Sequence, residues 1–302
     1  MSPTAWPFES AGDLIAPIAG GLGLTEAPVY DRDRDRVLFS DVTRGGVWAY
    51  HWDGSLESIL PGRRGIGGLV LDQRGSVLVS GKNVTAFDPV LVSERMVCQI
   101  GDVGQPLIGF NDMCADPEGR LYVGGLGYVP LRQPTGPDGV VVLLEPDGGM
   151  KTAFAPVGLP NGMACDRRLG LLYVCDSSAG TILVFRHDVV TGALALESTL
   201  NLGFDGGRPD GIAVAEDGSL WLATAEGRTV DVISSSGVKL ASFGFPGPLV
   251  TNLCFAGPAS DILVVTGGAL GPESSDASVW AMRVHTKGAA VERSRVAPLV
   301  TG

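Results

Sequence analysis

The chain has 302 residues, of which 45% are hydrophobic and 18% are charged, a balance typical of a soluble globular protein with a large core. Its 22 basic and 33 acidic residues give a net charge of −11. Such acidity argues against nucleic acid or an anionic membrane surface as the main partner, and it is compatible with cation binding. No apolar run reaches the ~20 residues of a membrane span.

The N-terminus and the cysteines favour a cytoplasmic protein. The opening stretch MSPTAWPFESAGDLI has no basic region followed by a long apolar core, so we expect no signal peptide. The five cysteines are odd in number and form no C-x-x-C pair. We therefore expect small buried thiols in a reducing compartment rather than a disulfide framework or a zinc site.

Taken in chain order, the sequence repeats one pattern. An equivalent position recurs along the whole chain, and an apolar segment begins directly after it. Successive occurrences are 41, 44, 50, 49 and 42 residues apart. After each comes a short apolar run, then a polar turn, then a second apolar run such as VLFSD, RLYVGG or SLWLAT. We call the occupants of this position the slot residues, and they are Glu26, Gly67, Asn111, Asn161, Asp210 and Asn252.

The runs between the turns predict β-strands throughout the chain. They are short, rich in Val, Leu, Tyr and Trp, and bounded by Gly, Asp and Pro. A repeat of about 40–45 residues with four strands per unit is typical of a β-propeller. We predict one all-β domain over 1–302, a six-bladed propeller with four antiparallel strands per blade. The alternative is a β-sandwich with irregular turns.

The outer strand of the last blade has two candidate sources. Residues 13–18, with the sequence DLIAPI, could close the ring from the N-terminus. Residues 291–300, with the sequence VERSRVAPLV, could close it from the C-terminus. The sequence does not decide between them.

In a propeller the first strand of each blade lines the central channel, so the six slots should converge at one mouth of it. Facing carboxylates repel, and an unpaired buried charge is costly. A divalent cation resolves both problems, and oxygen donors favour a hard ion such as Ca²⁺, Mg²⁺ or Mn²⁺. We predict a metal site at Glu26, Asn161 and Asp210. For Asn252 we expect instead a hydrogen bond to its own turn backbone.

Four stretches of the sequence resemble one known family. TEAPVYD…VLFSD, FNDMCADPEGRLYVGG, LPNGMACD…LLYVCDS and RPDGIAVAEDGSLWLAT are similar to the SMP-30/gluconolactonase/luciferin-regenerating-enzyme family, in the same order and over nearly the whole chain. The resemblance implies a six-bladed propeller with one divalent cation in the channel. Calcium is the preferred ion, with magnesium, manganese, zinc or iron as alternatives.

The resemblance also implies roles for individual residues. Glu26, Asn161 and Asp210 match the family's metal ligands, and Asp210 matches its proposed general base. Asn111 matches a residue that contacts substrate in the lactonases and that is itself a ligand in a related calcium-dependent phosphotriesterase. Sugar lactonases typically carry Arg two residues before that Asn, where this chain has Gly109. Their G-T-M stretch is here Gly124-Gly125-Leu126. Both differences favour a substrate less polar than an aldonolactone.

A long segment over 124–139 should return to the slot-bearing mouth, because it connects the second and third strands of a blade. It is rich in Pro and Gly and contains Tyr128, Val129, Leu131 and Arg132. Connections of this length usually have a purpose or lack order. We predict an apolar lid over the channel, with Tyr128 and Arg132 available to substrate. The alternative is a packed surface loop.

These features lead to three hypotheses of function. The first is a metal-dependent hydrolase that opens a lactone or similar cyclic ester, with Asp210 taking a proton from water and Asn111 orienting the ester. The second is a phosphotriesterase- or arylesterase-like hydrolase at the same site. The third is a ligand-binding propeller with a structural ion. The three histidines fall on or beside third strands, so we do not expect a histidine base.

Overall fold

The computed structural model describes residues 15–130, 138–202, 207–269 and 277–299. These residues form 24 β-strands and one 3₁₀ turn, Ile100–Val103, and the strands assemble into six four-stranded antiparallel sheets. Each sheet is one blade of a propeller. The predicted all-β, six-bladed architecture is therefore confirmed.

In the first half of the propeller, consecutive strands of the chain are neighbours in the sheet. Five slot residues lie among the first four residues of the innermost strand of their blade, and Gly67 precedes its strand by two residues. Blade 1 comprises β2 (Thr25–Asp31), β3 (Arg36–Asp41), β4 (Val47–His51) and β5 (Leu56–Leu60); blade 2 comprises β6 (Leu69–Leu71), β7 (Val77–Val79), β8 (Asn83–Asp88) and β9 (Ser93–Gln99); blade 3 comprises β10 (Gly109–Ala115), β11 (Leu121–Leu126), β12 (Gly139–Leu144) and β13 (Met150–Val157).

The second half repeats the pattern until the last blade, which takes its outer strand from the start of the chain. Blade 4 comprises β14 (Pro160–Asp166), β15 (Leu171–Asp176), β16 (Thr181–His187) and β17 (Leu194–Asn201); blade 5 comprises β18 (Pro209–Val214), β19 (Leu220–Thr224), β20 (Thr229–Ile233) and β21 (Lys239–Gly244); blade 6 comprises β22 (Leu249–Ala256), β23 (Ile262–Gly268), β24 (Ala277–Arg283) and β1 (Ala16–Gly20).

The hydrophobic core lies between adjacent blades. Second strands such as β11 and β15 are buried along their whole length, whereas outer strands such as β17 and β21 are largely exposed. One core cluster joins Val70 and Leu78 of blade 2 to Met113 and Val123 of blade 3. This face-to-face packing of sheets fixes the rotation of each blade about the channel, and so it fixes where the innermost strands begin.

The ring is closed by the N-terminal candidate. Strand β1 pairs antiparallel with β24, with Ala16 opposite Ala281 and Pro17 opposite Trp280. The first described strand thus completes the sheet that the last three strands begin. This pairing settles the choice that the sequence left open.

The C-terminal candidate has a different place, since it crosses the face opposite the slots. The backbone N–H of Ala289 donates to the Val214 carbonyl of blade 5 at 2.9 Å, and that of Ser294 donates to the Leu71 carbonyl of blade 2 at 3.0 Å. The N–H of Arg295 then donates to Gly119 of blade 3 at 2.7 Å. Residues 287–299 therefore link separate blades across the channel as a second closure.

One side chain of this C-terminal segment is buried, and its burial predicts how much it stabilises the fold. Val296 is 1% exposed and packs in the core between blades 2 and 3. We expect Val296→Ala to lower the free energy of unfolding by about 2 kcal/mol, which lowers Tm by a few degrees in a chain of this size. Val291→Ala is the matched control, because Val291 is 77% exposed. Equal thermal unfolding curves for the two variants would contradict the packing.

The remaining sequence expectations concern cysteines and membranes. All five cysteines are free thiols: Cys98, Cys175 and Cys254 are buried as expected, whereas Cys114 and Cys165 are half-buried. In the described part of the chain, no helix has the length and apolar character needed to cross a membrane.

Candidate functional site

The innermost strands carry a local irregularity at the slots. In five blades a shift in register interrupts the pairing of the first and second strands at or beside the slot residue. Such a bulge bends the strand and re-aims a side chain. It lets a polar slot residue turn toward the axis while the apolar residues after it stay in the core. The shifts lie between Glu26 and Val29, Phe110 and Met113, Pro160 and Met163, Pro209 and Ile212, and Val250 and Asn252.

Two slot amides hold each other on one side of the channel. The side-chain Nδ2 of Asn111 donates to Oδ1 of Asn161 at 2.9 Å and to the Pro160 carbonyl at 3.1 Å. Asn161 in turn donates from Nδ2 to Oγ of Ser177 at 3.1 Å. These bonds fix the orientations of both amides, with Oδ1 of Asn161 as the acceptor from Asn111.

The glycine in the second slot makes room for this arrangement. A Cβ atom added at Gly67 would lie 2.2 Å from Oδ1 of Asn111, far inside van der Waals contact. The side-chain amide of Asn111, from blade 3, therefore occupies the space beside Gly67 of blade 2. This explains why one of the six repeats departs from the polar pattern.

A carboxylate cluster occupies the other side. Oε2 of Glu26 accepts from the backbone N–H of Ala27 at 2.9 Å and from Nδ2 of Asn252 at 3.2 Å. The same Nδ2 donates to Oδ2 of Asp112 at 3.1 Å. Asn252 also accepts from its neighbour Leu253 at 2.8 Å, so the expected local bond is present. Beyond that bond, its amide bridges two acids.

Asp112 is the residue that sequence reasoning missed. It is 8% exposed, and its Oδ1 accepts from the backbone N–H of Met113 at 2.7 Å. In a regular strand the residue after a slot would point away from the channel. Asp112 lies within the register shift between Phe110 and Met113, so that alternation fails there. The available signal was a second acid-or-amide residue directly after the slot, which only the F-N-D repeat has.

The three buried acids form one electrostatic unit. Desolvation by burial, and next the charge of Asp112, raise the pKa of Glu26 to about 8. Desolvation raises the pKa of Asp112 to about 6. Desolvation, followed by the charges of Glu26 and Asp112, holds the pKa of Asp210 well above its ordinary value. Ionising all three carboxyls is therefore unfavourable unless a cation compensates.

The types of donor at the mouth are those that a hard divalent cation prefers. Oδ1 of Asp210 is buried without a hydrogen-bond partner in the described residues, an arrangement that native proteins rarely tolerate. Oxygen donors from carboxylates and amides are what calcium and magnesium prefer. In the described ranges no group of three or more His, Cys, Asp or Glu side chains is arranged to hold a metal ion. The predicted ligands comprise only two acids and one amide, so this set of residues stays a prediction.

The mouth above the slots is apolar on the side of blades 3 and 4. Leu126, Tyr128 and Leu159 form a small buried cluster there, and Val129 is 46% exposed. Residue Arg132, together with Leu131, lies outside the described residues. The predicted roles of the lid, of Tyr128 and of Arg132 in substrate binding accordingly stay predictions.

The histidines have other surroundings. Nε2 of His187 lies 3.1 Å from Oδ2 of Asp116, in the turn between β10 and β11 on the far face. Nε2 of His51 lies 3.3 Å from Oε2 of Glu57, and His285 is exposed. None of these described contacts involves a slot residue, so the acid–base groups of the candidate site are carboxyls.

Below the carboxylates the channel widens into a cavity of about 270 Å³. Its wall is mainly apolar, with Leu71, Met163 and Phe255 among the lining residues, and residues 289–293 of the C-terminal segment also line it. The polar cluster borders this cavity through Asp112 and Asn252.

The fold and the site together define a class: a six-bladed propeller with buried oxygen donors gathered at one mouth of its channel. The chain belongs to the SMP-30/gluconolactonase/LRE-like family, whose model matches residues 24–269. It is 30% identical to pentonolactonase XacC of Haloferax volcanii over 244 residues, which is 80% of this chain and 81% of that one. It is 27% identical to regucalcin of Danio rerio over 254 residues, 82% of this chain and 84% of that one.

Solved structures agree on the fold. A luciferin-regenerating enzyme superposes with a TM-score of 0.82 at 22% identity, covering 94% of this chain and 99% of that one. A calcium-binding protein, regucalcin, from Agrobacterium tumefaciens superposes with a TM-score of 0.81 at 19% identity, covering 94% and 98%. At this level of identity the likeness establishes the propeller alone.

Proposed function

We propose that the protein is a divalent-cation-dependent hydrolase that opens a lactone or similar cyclic ester. The observation that carries the proposal is the buried cluster of Glu26, Asp112 and Asp210, with one oxygen of Asp210 left without a hydrogen-bond partner among the described groups. Membership in a family that includes a pentonolactonase supports the reaction class. The free thiols support a cytoplasmic location.

Glu26, Asn161 and Asp210 are the residues that would hold the cation. Calcium is our preferred ion, because the donors are oxygens and because relatives carry the name regucalcin. When bound, the cation supplies a positive charge that polarises the substrate carbonyl. Its charge would also offset the repulsion among the three ionised acids, so binding of the cation would stabilise the fold.

The chain's own residues supply positioning and proton transfer. Asp210 is placed to take the proton of the attacking water at a carboxylate oxygen. Burial raises its pKa in the metal-free protein, and a bound cation would lower that pKa again, so in the loaded site Asp210 would act as a metal-bound carboxylate whose main contribution is position. Asn111 is held by its bonds to Asn161 and Pro160, and this fixed amide orients the ester for attack.

The substrate proposal starts from the position two residues before Asn111. Gly109 places no cationic or hydrogen-bonding side chain there, which supports a substrate less polar than a simple aldonolactone. The second sequence difference carries less weight. A Cβ added at Gly125 would meet Leu107 at 2.7 Å and Val140 at 3.0 Å, so this position faces the core of the blade and not the mouth.

A substrate panel with and without calcium tests the reaction class. The panel comprises γ-butyrolactone, a pentonolactone, glucono-δ-lactone, phenyl acetate and a phosphotriester. We expect calcium-supported opening of at least one lactone, lost with a chelator. Turnover of only the aryl ester or the phosphotriester would favour the second hypothesis. A rise in Tm with calcium and no turnover of any compound would favour a binding propeller and contradict the hydrolase.

A further inference from the structure

A second ring of residues lies above the slots. The residue two before each slot either precedes the innermost strand or is one of its first two residues, so these six positions lie at the slot-bearing end of the blades. We call these six positions the rim residues. Five are apolar or glycine, and one is charged. They are Leu24, Gly65, Gly109, Leu159, Arg208 and Val250.

The charged rim residue is held in a defined orientation. Nε of Arg208 donates to Oε1 of Glu226 at 3.0 Å, and its Nη2 donates to the same oxygen. The backbone N–H of Arg208 donates to Oε2 of Glu226 at 3.3 Å. Glu226 lies in the connection between β19 and β20, on the same face as the slots. The pair is half-exposed, so solvent and ligands can reach it.

The pair also lies within electrostatic range of the candidate site. The charge of Glu226 contributes to raising the pKa of Asp210, and the charge of Arg208 contributes to lowering it. On the neighbouring blades, the equivalent rim residue Leu159 is buried with Leu126 and Tyr128. The mouth thus has an apolar wall on blades 3 and 4 and one polar contact point on blade 5.

We propose that Arg208, positioned by Glu226, is a specificity-determining residue that recognises a free hydroxyl on the substrate lactone; this rests on the proposed function. A hydroxyl both accepts and donates hydrogen bonds, and the pair offers a donor and an acceptor side by side. An anionic substituent fits less well, because the carboxylate of Glu226 already pairs with the guanidinium and that of Asp210 lies within electrostatic range. The substrate class is a lactone with a hydroxyl on one side and an apolar face on the other.

The test measures binding separately from turnover. The probes are two lactams that resist opening, 3-hydroxy-2-pyrrolidinone and 2-pyrrolidinone, titrated by NMR into calcium-loaded wild type and Arg208→Met. We expect the variant to bind the hydroxylated lactam about tenfold more weakly, the typical effect of a hydrogen bond to a charged group. Binding of the plain lactam should stay unchanged. Arg44→Met is the control, since Arg44 lies on the same face in blade 1 and outside the rim.

Kinetics provide the second readout. For α-hydroxy-γ-butyrolactone, Arg208→Met should raise KM about tenfold with kcat preserved, and for γ-butyrolactone it should change neither. Glu226→Gln should give a smaller effect in the same direction. An unchanged preference for the hydroxylated lactam in Arg208→Met, or no lactam binding by wild type, would overturn the proposal. Selective binding of the hydroxylated lactam without turnover of any lactone would support the role of Arg208. The same result would contradict only the proposed hydrolase activity.

Discussion

Asp210→Ala is expected to lower the rate of lactone opening by about 10³-fold or more, because one side chain is proposed both to hold the cation and to accept the proton of water. Asp210→Asn should lose nearly as much, since the amide keeps the shape but is a poor base. Both variants should also lose most of the rise in Tm that calcium gives the wild type. Initial rates and thermal unfolding with and without calcium measure these effects.

Asp33→Ala is the matched control for this loss. Asp33 is an exposed acid on the far face, where it pairs with Arg293 at 2.5 Å. The variant should keep its activity and its response to calcium. Full turnover in Asp210→Ala would remove this residue from the mechanism, and an unchanged calcium response would remove it from the cation site.

Asp210→Asn should have the opposite effect on the metal-free fold. The wild-type protein buries three acids beside one another, and Oδ1 of Asp210 has no hydrogen-bond partner in the described part of the chain. Replacing that acid with a neutral side chain removes the repulsion toward Glu26 and Asp112. We therefore expect a higher Tm for the variant than for wild type in a chelator. Residues arranged for function commonly reduce stability in this way.

The architecture could be predicted from the sequence because every blade repeats the same local pattern of residues. A slot residue, a polar turn and a fully buried second strand recur six times, so periodicity alone predicts the ring. The closing strand was not readable, since both ends of the chain carry short apolar stretches. Only the pairing of Ala16 with Ala281 shows which end enters the sheet. The C-terminal stretch instead satisfies its backbone groups on separate blades, a long-range arrangement without a local signal.

The candidate site was readable in part for a related reason. The repeat selects Glu26, Asn161 and Asp210 as candidate ligands because they occupy equivalent positions. The structure places Glu26 and Asp210 among the buried acids, whereas Asn161 bonds to Asn111 and Ser177. Asp112 does not follow from the repeat, because its side chain is brought toward the other acids by a bulge that breaks strand alternation. The bridging role of Asn252 depends on two acids from different blades. Such contacts across the channel are properties of the closed ring and not of any one segment.

The metal-free protein should become less stable as the pH rises from about 6 to 8.5. Desolvation raises the pKa of Glu26 to about 8 and that of Asp112 to about 6, from ordinary values of 4.5 and 3.8. In this range the folded chain therefore binds more protons than the unfolded chain. Stability must then fall with pH, because unfolding releases those protons. The neutral acids contribute their full stability when the pH is below their pKa values in the unfolded chain. That stability is lost as the pH rises through their pKa values in the folded chain.

Calcium should reverse this trend, since its charge compensates the ionised acids. We expect its effect on Tm to be small near pH 6 and to grow by several degrees toward pH 8.5, because binding displaces protons. Glu26→Gln carries a neutral side chain of similar shape, so its metal-free Tm should vary less with pH than that of wild type. Comparing the two proteins by calorimetry in a chelator cancels the histidines and other shared groups. A calcium effect that stays constant across this range, or equal pH slopes for the two proteins, would show that the buried acids are not linked to the cation.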